Sequence, residues 1–570
     1  MKQETKAHSQ DSVSPICQNC KGQFVIDAQD FQFYEKIKVP PPTFCPQCRL
    51  QRRLAQRNER SLYKRNCGLC GESIITMYSP DKPFKVYCPG CYYSDKWDPK
   101  EYERDYDFSR SFFEQFKELQ DNIPHLSLLQ ENSVNSPWIN YELDDKNCYL
   151  NFGGHLNEDC AYNQYVLKCR DCFDNFWMMN GQFVYESILS ENCYKTFHSK
   201  LCLDCRDTYF SFDCRNCSNI FGCSGLRHKQ YHIFNKPVSK EEFEKFIKEN
   251  SLDSYVNMEK FKNQADDFWK SQPQRAVFID KSVNSTGNLI KESKNCASCW
   301  NAERTEDSKY MVFTLQVKDA MDTTSVWGGE LLYEFIAGSE QLANIRFTIG
   351  ALRGPTNLEY CRFIFNSHNC FGCVNMRDKK FCILNKQYSK EEYTELREKI
   401  IAHMNAMPYI DRAGRNYRYG EFFPVELSLF GYNETVANEY FPLERDEVLR
   451  QGFPWNDYEA EKTYQFSDYK IPDNIRDAKD DILEKVLKCE ISGKPYRIIP
   501  MELAFYRRFG LPIPRAAPFE RHRGRLRFIA DHLKLRDRTC DKCGKIIQSV
   551  YTKEEFPRVY CHECYISEVA

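Results

Sequence analysis

Two segments of the chain share one pattern of apolar and polar positions, which predicts a strand, a turn and a helix in each. NIFGCSGLRHKQYHIFNKPVSKEEFEKF, from position 219, matches NCFGCVNMRDKKFCILNKQYSKEEYTEL at an offset of 150. Ser239 with Glu242, and Ser389 with Glu392, have the spacing of a capping box that starts a helix. The apolar positions that follow recur on one helix face, which each helix would bury. They are Phe243, Phe246 and Ile247 in the first copy and Tyr393, Leu396 and Ile400 in the second.

The cysteines of the middle region recur at regular intervals. Cys148, Cys169, Cys193 and Cys214 follow one another at steps of 21, 24 and 21, and steps of 9 and 3 recur nearby. A repeat near 21 suits one coil of a parallel β-solenoid, whose equivalent residues stack about 4.8 Å apart. Cysteine is small and is often buried, so these residues are interpreted as lining a narrow interior. Additional metal sites in this region are the weaker alternative.

The two predicted helices suit the ends of such a solenoid, because a helix laid over an exposed strand edge protects it from aggregation. The expected fold class is therefore multi-domain and mainly β. We expect tandem zinc ribbons at both ends, flanking a cysteine-rich right-handed parallel β-solenoid in two helix-capped blocks.

At both chain ends the cysteines occur as CxxC pairs instead. Zinc in structural sites prefers four tetrahedral ligands, and a CxxC turn presents two thiolates together. Redox CxxC motifs do not occur as matched double pairs, and buried free thiols would not repeat this spacing. The sequence thus predicts three structural zinc sites as its cofactors and no catalytic residue. The ligands are Cys17, Cys20, Cys45 and Cys48; Cys67, Cys70, Cys88 and Cys91; and Cys540, Cys543, Cys561 and Cys564.

The two ends also repeat each other. NCGLCGESIITMYSPDKPFKVYCPGCYYSD aligns with TCDKCGKIIQSVYTKEEFPRVYCHECYISE at an offset of 473, and the preceding segments align at 472. Cys17 then matches Cys489, but the partners of the other three ligands are Ser492, Ala517 and Glu520. The C-terminal copy is therefore predicted to have lost this zinc site and to keep its apolar framework.

The composition favours a protein whose cysteines are reduced over a disulfide-bonded one. It has 29 cysteines in 570 residues, below the share of about 8–10% typical of short disulfide scaffolds. Mean hydropathy is −0.66, and no apolar run approaches the roughly 18 residues of a membrane span. The start, MKQETKAHSQDSVSP, has no apolar stretch of the kind a signal peptide carries. We expect a cytoplasmic protein without membrane contact.

Charge suggests one kind of partner. Residues 17–97 and 489–570 each carry six more basic than acidic side chains, although the whole chain has a net charge of −2. Basic residues at four-residue steps would share a helix face beside the zinc knuckles, which suits contact with phosphate groups. A helix face that is simply exposed to solvent explains the same spacing equally well. The basic residues concerned are Arg49, Arg53, Arg57, Arg60, Lys64, Arg521 and Arg525.

Binding of nucleic acid or ribonucleoprotein through these stripes is the leading functional hypothesis for this zinc-binding protein. The first alternative is a non-catalytic scaffold for protein partners, since solenoids present long surfaces. The second is a carbohydrate-active β-helix enzyme, which rests on fold analogy alone. The chain lacks the common nucleotide, hydrolase and metalloprotease motifs, so an enzyme is the weaker reading.

The segment CQNCKGQFVIDAQDFQFYEKIKVPPPTFCPQCR resembles a family of probable bacterial zinc-ribbon domains, and residues 67–91 and 540–564 resemble bacterial CxxC-x17-CxxC domains. The whole layout is similar to multi-zinc-ribbon proteins of candidate-phyla (Patescibacteria) bacteria, in which NCFGC and ILNKQYSKEEY recur. The resemblance implies the same zinc ligands and brings no assigned activity.

These observations divide the chain into eight predicted segments. They are a flexible tail (1–16), a tandem four-cysteine module (17–97), a helical linker (98–139), solenoid block 1 with its capping helix (140–250), a helical insertion (251–275), solenoid block 2 with its capping helix (276–404), an irregular connector (405–475) and a C-terminal zinc-ribbon module with a degenerate first site (476–570).

Overall fold

The computed structural model describes residues 12–458 and 465–569, and these form two compact units. Unit 1 consists of the described residues of Met1–Ser127 together with Phe278–Tyr458. Unit 2 consists of Leu128–Val277 together with the described residues of Glu459–Ala570. Each unit thus combines one terminal cysteine module with the β-region that lies farther from it in the sequence.

The β-region of unit 2, here called the first ladder, is a set of short strands that pair in parallel at a nearly constant offset, except that the last strand, Lys236–Pro237, pairs antiparallel. Arg170 lies beside Gln182, which lies beside Tyr194, and the 12-residue step continues to Gln230. The expected repeat near 21 is therefore wrong. The strands are Gln130–Glu131, Trp138–Asn140, Glu142–Leu143, Tyr149–Phe152, Gln164–Leu167, Arg170–Phe173, Phe176–Met179, Gln182–Tyr185, Ile188–Glu191, Tyr194–Phe197, Arg206–Tyr209, Ser218–Phe221, Gln230–Ile233 and Lys236–Pro237.

Every third residue of the first ladder is buried in its interior. From Cys202 to Cys223 these residues are at most 2% exposed, and the residue before most of them has a left-handed φ between 45° and 58°. The backbone thus turns every three residues, and Asn and Asp recur at the turning positions because they tolerate this conformation best after Gly. The interior residues of this stretch are Cys202, Cys205, Thr208, Ser211, Cys214, Cys217, Ile220 and Cys223.

The interior thiols are satisfied by the backbone. The Cys205 Sγ lies 3.3 Å from the carbonyl oxygens of Leu203 and Cys214, so the thiol donates within its own ladder. Each 12-residue step offers four inward positions, and the narrow space between them suits small side chains. The interpretation of the middle cysteines as small interior residues is confirmed by this burial.

The β-region of unit 1, the second ladder, pairs in the same way, with a 13-residue step where its strands are longest. Leu332 lies beside Ile345, whereas Ala320 lies beside Leu332. The strands are Ile279–Asp280, Gly287–Lys291, Lys294–Ala297, Cys299–Glu303, Glu306–Lys309, Val312–Leu315, Val317–Val326, Gly329–Gly338, Leu342–Leu352, Thr356–Glu359, Arg362–Phe365, His368–Phe371, Lys380–Ile383 and Lys386–Gln387.

A helix follows the last strand of each ladder, as the capping boxes predict. Lys240–Glu249 starts after Ser239 and Lys390–Ala406 after Ser389, and both capping boxes are complete. Phe243 and Tyr393 are the buried first apolar positions of these helices. The segment 251–275, predicted as a helical insertion, contains the helix Tyr255–Ser271 of unit 2.

The two terminal modules have matching elements. In unit 1 these are the helices Ala28–Lys36, Pro46–Leu54 and Pro89–Tyr92 and the strands Tyr63–Asn66, Ser73–Thr76 and Val86–Tyr87. In unit 2 they are the helices Pro500–Phe509, Pro518–Asp531 and His562–Val569 and the strands Leu487–Lys488, Pro495–Tyr496, Arg536–Thr539, Ile546–Ser549 and Val559–Tyr560. The internal repeat at offsets of 472 and 473 is therefore a structural repeat.

A short parallel strand pair extends each module. Val86–Tyr87 pairs with His125–Leu126 in unit 1, and Val559–Tyr560 pairs with Gln274–Arg275 in unit 2. The two added strands are related by an offset of 149, close to the offset that relates the ends of the two ladders. Each unit is thus built to one plan, with a module, an added strand and a ladder.

The remaining segments are short and irregular. The predicted linker 98–139 contains the 3-10 turn Pro99–Tyr102 and the helix Phe112–Asn122, but it already ends in ladder strands. The connector in unit 1 has strands at Tyr409–Ile410 and Asn416–Tyr417, helices at Val436–Tyr440 and Arg445–Arg450, and 3-10 turns at Val425–Leu427 and Tyr432–Glu434. Beyond the gap at 459–464, 3-10 turns lie at Ile475–Asp477 and Asp480–Glu484.

The tail predicted at 1–16 lies outside the described residues as far as position 11. Val13 and Ile16 form antiparallel bridges with Ile26 and Gln23, so the described part of the tail belongs to the N-terminal module. Among the described residues no helix has the length and apolar character that crossing a membrane requires.

Candidate metal centres

Three groups of four cysteines come together in the described parts of the chain, and they are the three predicted sets. Within each group the four Sγ atoms lie within 4.8 Å of one another. Two clusters are in the N-terminal module, Cys17–Cys48 and Cys67–Cys91, and one is in the C-terminal module, Cys540–Cys564.

The sulfur spacing fits a tetrahedral zinc ion. A Zn–S bond of about 2.3 Å implies sulfur atoms about 3.8 Å apart at the corners of a tetrahedron. The structure places Cys20 and Cys45 Sγ 3.7 Å apart, Cys70 and Cys88 4.0 Å apart, and Cys543 and Cys561 3.9 Å apart. A site filled by four thiolates leaves no position for water or substrate, so a metal held here would serve the fold.

Backbone N–H groups support the thiolate form in each knuckle. The Cys45 N–H donates to Cys17 Sγ at 3.3 Å, and the N–H groups of Cys88 and Cys561 donate in the same way to Cys67 and Cys540. Burial raises the pKa of Cys67 and of Cys540, but N–H groups of the knuckle outweigh it and lower each pKa to about 6. Thiolates are the ligand form of cysteine, so these thiols are prepared to bind metal.

The C-terminal copy of the first site, in which only Cys489 of the four cysteines is present, keeps the backbone turn of a zinc knuckle. The Ala517 N–H donates to Cys489 Sγ at 3.2 Å, which reproduces the bond from Cys45 to Cys17. Cys489 N–H also donates to Lys494 O at 2.9 Å, as Cys17 N–H does to Gly22 O. Packing and hydrogen bonds therefore hold in the C-terminal copy the turn that a metal would hold in the other.

The basic stripe of the N-terminal module is not on the surface, contrary to the expectation from its spacing. The helix that carries it ends at Leu54, so the stripe does not continue along one helix as predicted. Arg49 and Arg53 are buried, and both pair with Asp322 of the second ladder, at 2.8 and 3.1 Å. Arg53 also pairs with Glu334 at 2.9 Å. Buried guanidinium groups require such acidic partners, so Arg49 and Arg53 stabilise the fold and are not available to contact phosphate.

The other members of the stripe lie beyond the helix. Arg57 is buried and pairs with Glu59, and Arg60 is half-buried. Lys64 lies on the strand Tyr63–Asn66 and is exposed. Of the five predicted phosphate contacts in this module, only Lys64 has an exposed side chain.

The C-terminal module repeats the arrangement in unit 2. Arg521 and Arg525 are buried and both lie 3.0 Å from Asp174 of the first ladder, and Arg521 also pairs with Glu502 at 3.0 Å. Arg49 lies over the ring of Tyr310 at 5.3 Å, and Arg521 lies over the ring of Tyr162 at 4.9 Å. Four residues of the predicted stripes therefore fix the modules to their ladders: Arg49, Arg53, Arg521 and Arg525.

The acidic partners of these arginines are functional residues that the sequence analysis missed. Asp322 and Glu334, which both pair with arginines, are separated by one 12-residue step of the second ladder. Asp174 and Glu186 are separated by one such step of the first ladder, where Asp174 pairs with the arginines and Glu186 pairs with Lys262 and His198. In the sequence, these residues could be found as acidic side chains that recur at the ladder step and so would stack on one face opposite a basic helix. This pattern becomes visible only when the step of 12 residues is known.

No protein-family model matches this chain, and no curated protein matches it. Functional conclusions therefore rest on the geometry of the two units.

Proposed function

We propose that the protein is a zinc-stabilised, non-catalytic binding scaffold made of two copies of one module-and-ladder unit. The observation that carries the proposal is that the arginines of both modules are buried against ladder carboxylates, Arg49 against Asp322 and Arg521 against Asp174. The strongest basic feature of the sequence is thus used inside each unit, which favours a protein partner over the phosphate backbone of a nucleic acid.

The proposal treats each ladder as a right-handed β-solenoid with a coil of 12 residues, or 13 on either side of the strand Leu342–Leu352, shorter than the coil expected from the cysteine spacing. Support comes from the nearly constant parallel offset and from one inward residue in every three. Parallel crossovers are right-handed in nearly all known cases, which favours that hand here. A solenoid gives a scaffold a long surface, because each coil adds a similar strip of side chains.

Zinc has a structural part in this proposal. Each ion would be held by four thiolates, Cys17 to Cys48, Cys67 to Cys91 and Cys540 to Cys564, and would supply folding free energy to a module. The modules would in turn cover and brace the ladders through the buried arginines. All cysteines of the chain are free thiols, which suits a reducing compartment such as the cytoplasm.

Capture experiments with the full-length zinc-loaded protein test the proposal. Native lysate is passed over the immobilised protein, with and without nuclease, and bound species are identified by mass spectrometry. The scaffold proposal expects the same specific proteins with and without nuclease, and direct binding of a purified captured protein. If capture depends on intact nucleic acid, and filter binding shows affinity for DNA or RNA at low salt, the nucleic-acid alternative is correct instead.

The matched variants for this experiment are Lys64→Ala and Lys146→Ala. Lys64 is the exposed member of the predicted stripe, and Lys146 is an exposed lysine of the first ladder. Loss of nucleic-acid binding in Lys64→Ala alone would locate such binding at the N-terminal module and contradict the scaffold proposal. Release of reducing sugar from polysaccharides by the wild-type protein would support the carbohydrate-active alternative and contradict it as well.

A further inference from the structure

Unit 2 contains a cavity of about 360 Å³ between the first ladder, the helix Tyr255–Ser271 and the helix Pro518–Asp531. Small-molecule sites in proteins have volumes of about 300–1,000 Å³, so this cavity is large enough for a ligand of modest size. The degenerate metal position borders it, since Ile491, Ala516 and Glu520 are among its lining residues.

The same place in unit 1 is filled by side chains. Arg52 of the N-terminal module lies over the ring of Phe44 at 4.2 Å and pairs with Glu334 at 2.7 Å. At the offset of 472 the residue matching Arg52 is Gly524, and the residue matching Phe44 is Ala516. Two large side chains of unit 1 are therefore reduced to a hydrogen and a methyl group, and both replacements line the cavity.

Gly524 has no steric reason to be glycine. It lies within the helix Pro518–Asp531, and a Cβ built at this position would meet no atom within 4 Å. Glycine inside a helix costs about 1 kcal/mol relative to alanine. Its conformational freedom is not needed here, so the absent side chain keeps the mouth of the cavity open at a cost in stability.

One of the four acidic side chains that line the cavity, Glu186, is already neutralised by protein side chains. Glu186, which matches Glu334 of unit 1, lies 3.0 Å from Lys262 Nζ and 3.0 Å from His198 Nδ1. Burial lowers the pKa of His198, whose ring stacks on Phe210 with centroids 5.0 Å apart. A ligand therefore does not have to bring a positive charge to this side of the cavity.

Two donors of the cavity wall lack a hydrogen-bond or ion-pair partner among the described residues. Lys200 Nζ lies over the rings of Trp269 and Phe528, at 5.3 and 5.0 Å, with no carboxylate in ion-pair distance among the described residues. Trp269 Nε1 is buried in the same wall without a hydrogen-bond partner. Asp266 also lines the cavity and acts on Lys200 from beyond ion-pair distance, which leaves the ammonium group free to take a ligand.

We infer that this cavity binds a small organic anion with a planar aromatic body. Its carboxylate would accept hydrogen bonds from Lys200 Nζ and Trp269 Nε1, and its ring system would lie against Phe528 and Phe210. The inference goes beyond the scaffold function, since it gives unit 2 a small-molecule site at a place where unit 1 has the side chains of Arg52 and Phe44.

Calorimetric titration of the full-length zinc-loaded protein tests this inference. The probe is naphthalene-2-carboxylate, and the matched cation is 2-naphthylmethylamine. We expect saturable binding of one carboxylate per chain and binding of the amine weaker by about tenfold or more, the effect of one charge-assisted contact. Absence of saturable carboxylate binding at millimolar concentration, or equal or tighter binding of the amine, would overturn the inference.

Three variants locate the site. Gly524→Arg restores the side chain that fills unit 1 and should abolish carboxylate binding, and Lys200→Met should weaken it by about tenfold or more. Gly524→Ala leaves the cavity open, so it should bind as the wild type does and shows that changes at this position are tolerated. Unchanged affinity in both Gly524→Arg and Lys200→Met would place the ligand elsewhere and contradict the assignment.

Discussion

Arg49 and Asp322, 273 residues apart in the sequence, form an ion pair of 2.8 Å with side chains that are only 2% and 0% exposed. Asp322 also pairs with Arg53 at 3.1 Å, so one carboxylate pairs with two buried guanidinium groups. Asp174 does the same for Arg521 and Arg525 in unit 2. Each module is therefore joined to its ladder by a charge cluster, and loss of the shared aspartate would leave its buried arginines incompletely neutralised.

The variant Asp322→Asn should destabilise unit 1 by about 3–5 kcal/mol, because it leaves two buried arginines with incomplete neutralisation. Asp174→Asn should have a similar effect on unit 2. The measurement is the free energy of unfolding from chemical denaturation of the full-length protein, followed by circular dichroism. The control is Glu158→Gln, which breaks the surface pairs of Glu158 with Lys146 and Arg170 and should cost less than about 1 kcal/mol. Equal effects of the buried and exposed changes would contradict the bracing role.

Local spacing in the sequence predicted the local parts of this structure. The twelve cysteines of the three four-cysteine clusters and the capping boxes at Ser239 and Ser389 are set by residues close together in the chain, and the structure places them as expected. The four-residue steps of Arg49 and Arg53 also correctly indicate a shared helix face. They do not indicate whether that face meets water or a carboxylate from another part of the chain.

The cysteine intervals predict the wrong ladder repeat for a physical reason. Four inward positions are available in each 12-residue step, and a cysteine can occupy any of them, so intervals such as 9, 21 and 24 all satisfy the same interior. The common factor of three, visible from Cys148 through Cys169 to Cys193, was the true signal. The pairing of each module with the more distant ladder depends on contacts such as Arg49 with Asp322, which no local pattern records.

Metal content should follow the cysteine clusters one by one. The full-length protein should contain about three zinc ions per chain by plasma mass spectrometry, one for each four-thiolate set. Cys20→Ser should lower the count by one, because a cluster without one of its thiolates loses most of its affinity. Cys489→Ser should leave the count unchanged, since this cysteine has no partner ligands. A protein purified without zinc, or a loss of zinc in Cys489→Ser, would contradict the assignment of the sites.

Stability should fall at mildly acidic pH in part through His125. This histidine is fully buried, and burial lowers its pKa to about 3, although a hydrogen bond to Gln120 O at 2.8 Å favours the charged form. As the pH falls through about 6.5, His125 takes up a proton in the unfolded chain but stays neutral in the folded chain. Protonation therefore favours the unfolded state, and the free energy of unfolding, which is highest above pH 6.5, declines as the pH falls towards 3. Between pH 6.5 and 5 this group should cost about 1–2 kcal/mol.

The variant His125→Gln isolates this contribution. It cannot titrate, so its free energy of unfolding should decline less between pH 6.5 and 5 than that of the wild type, by about the same 1–2 kcal/mol. The two proteins share all metal sites, so acid-driven loss of zinc affects both alike. Parallel pH profiles of the two proteins would show that His125 titrates normally in the folded state.

Two glycines should respond in opposite directions to the same substitution. Gly524→Ala should stabilise the protein by about 1 kcal/mol, because Gly524 lies inside the helix Pro518–Asp531 and its Cβ would meet no atom within 4 Å. Gly510→Ala should destabilise it by about 1 kcal/mol, because Gly510 ends the helix Pro500–Phe509 with a left-handed φ of 59°. Both values come from denaturant midpoints of the full-length protein. If Gly524→Ala is also destabilising, the glycine has a structural reason, and its role in keeping the cavity open loses its energetic argument.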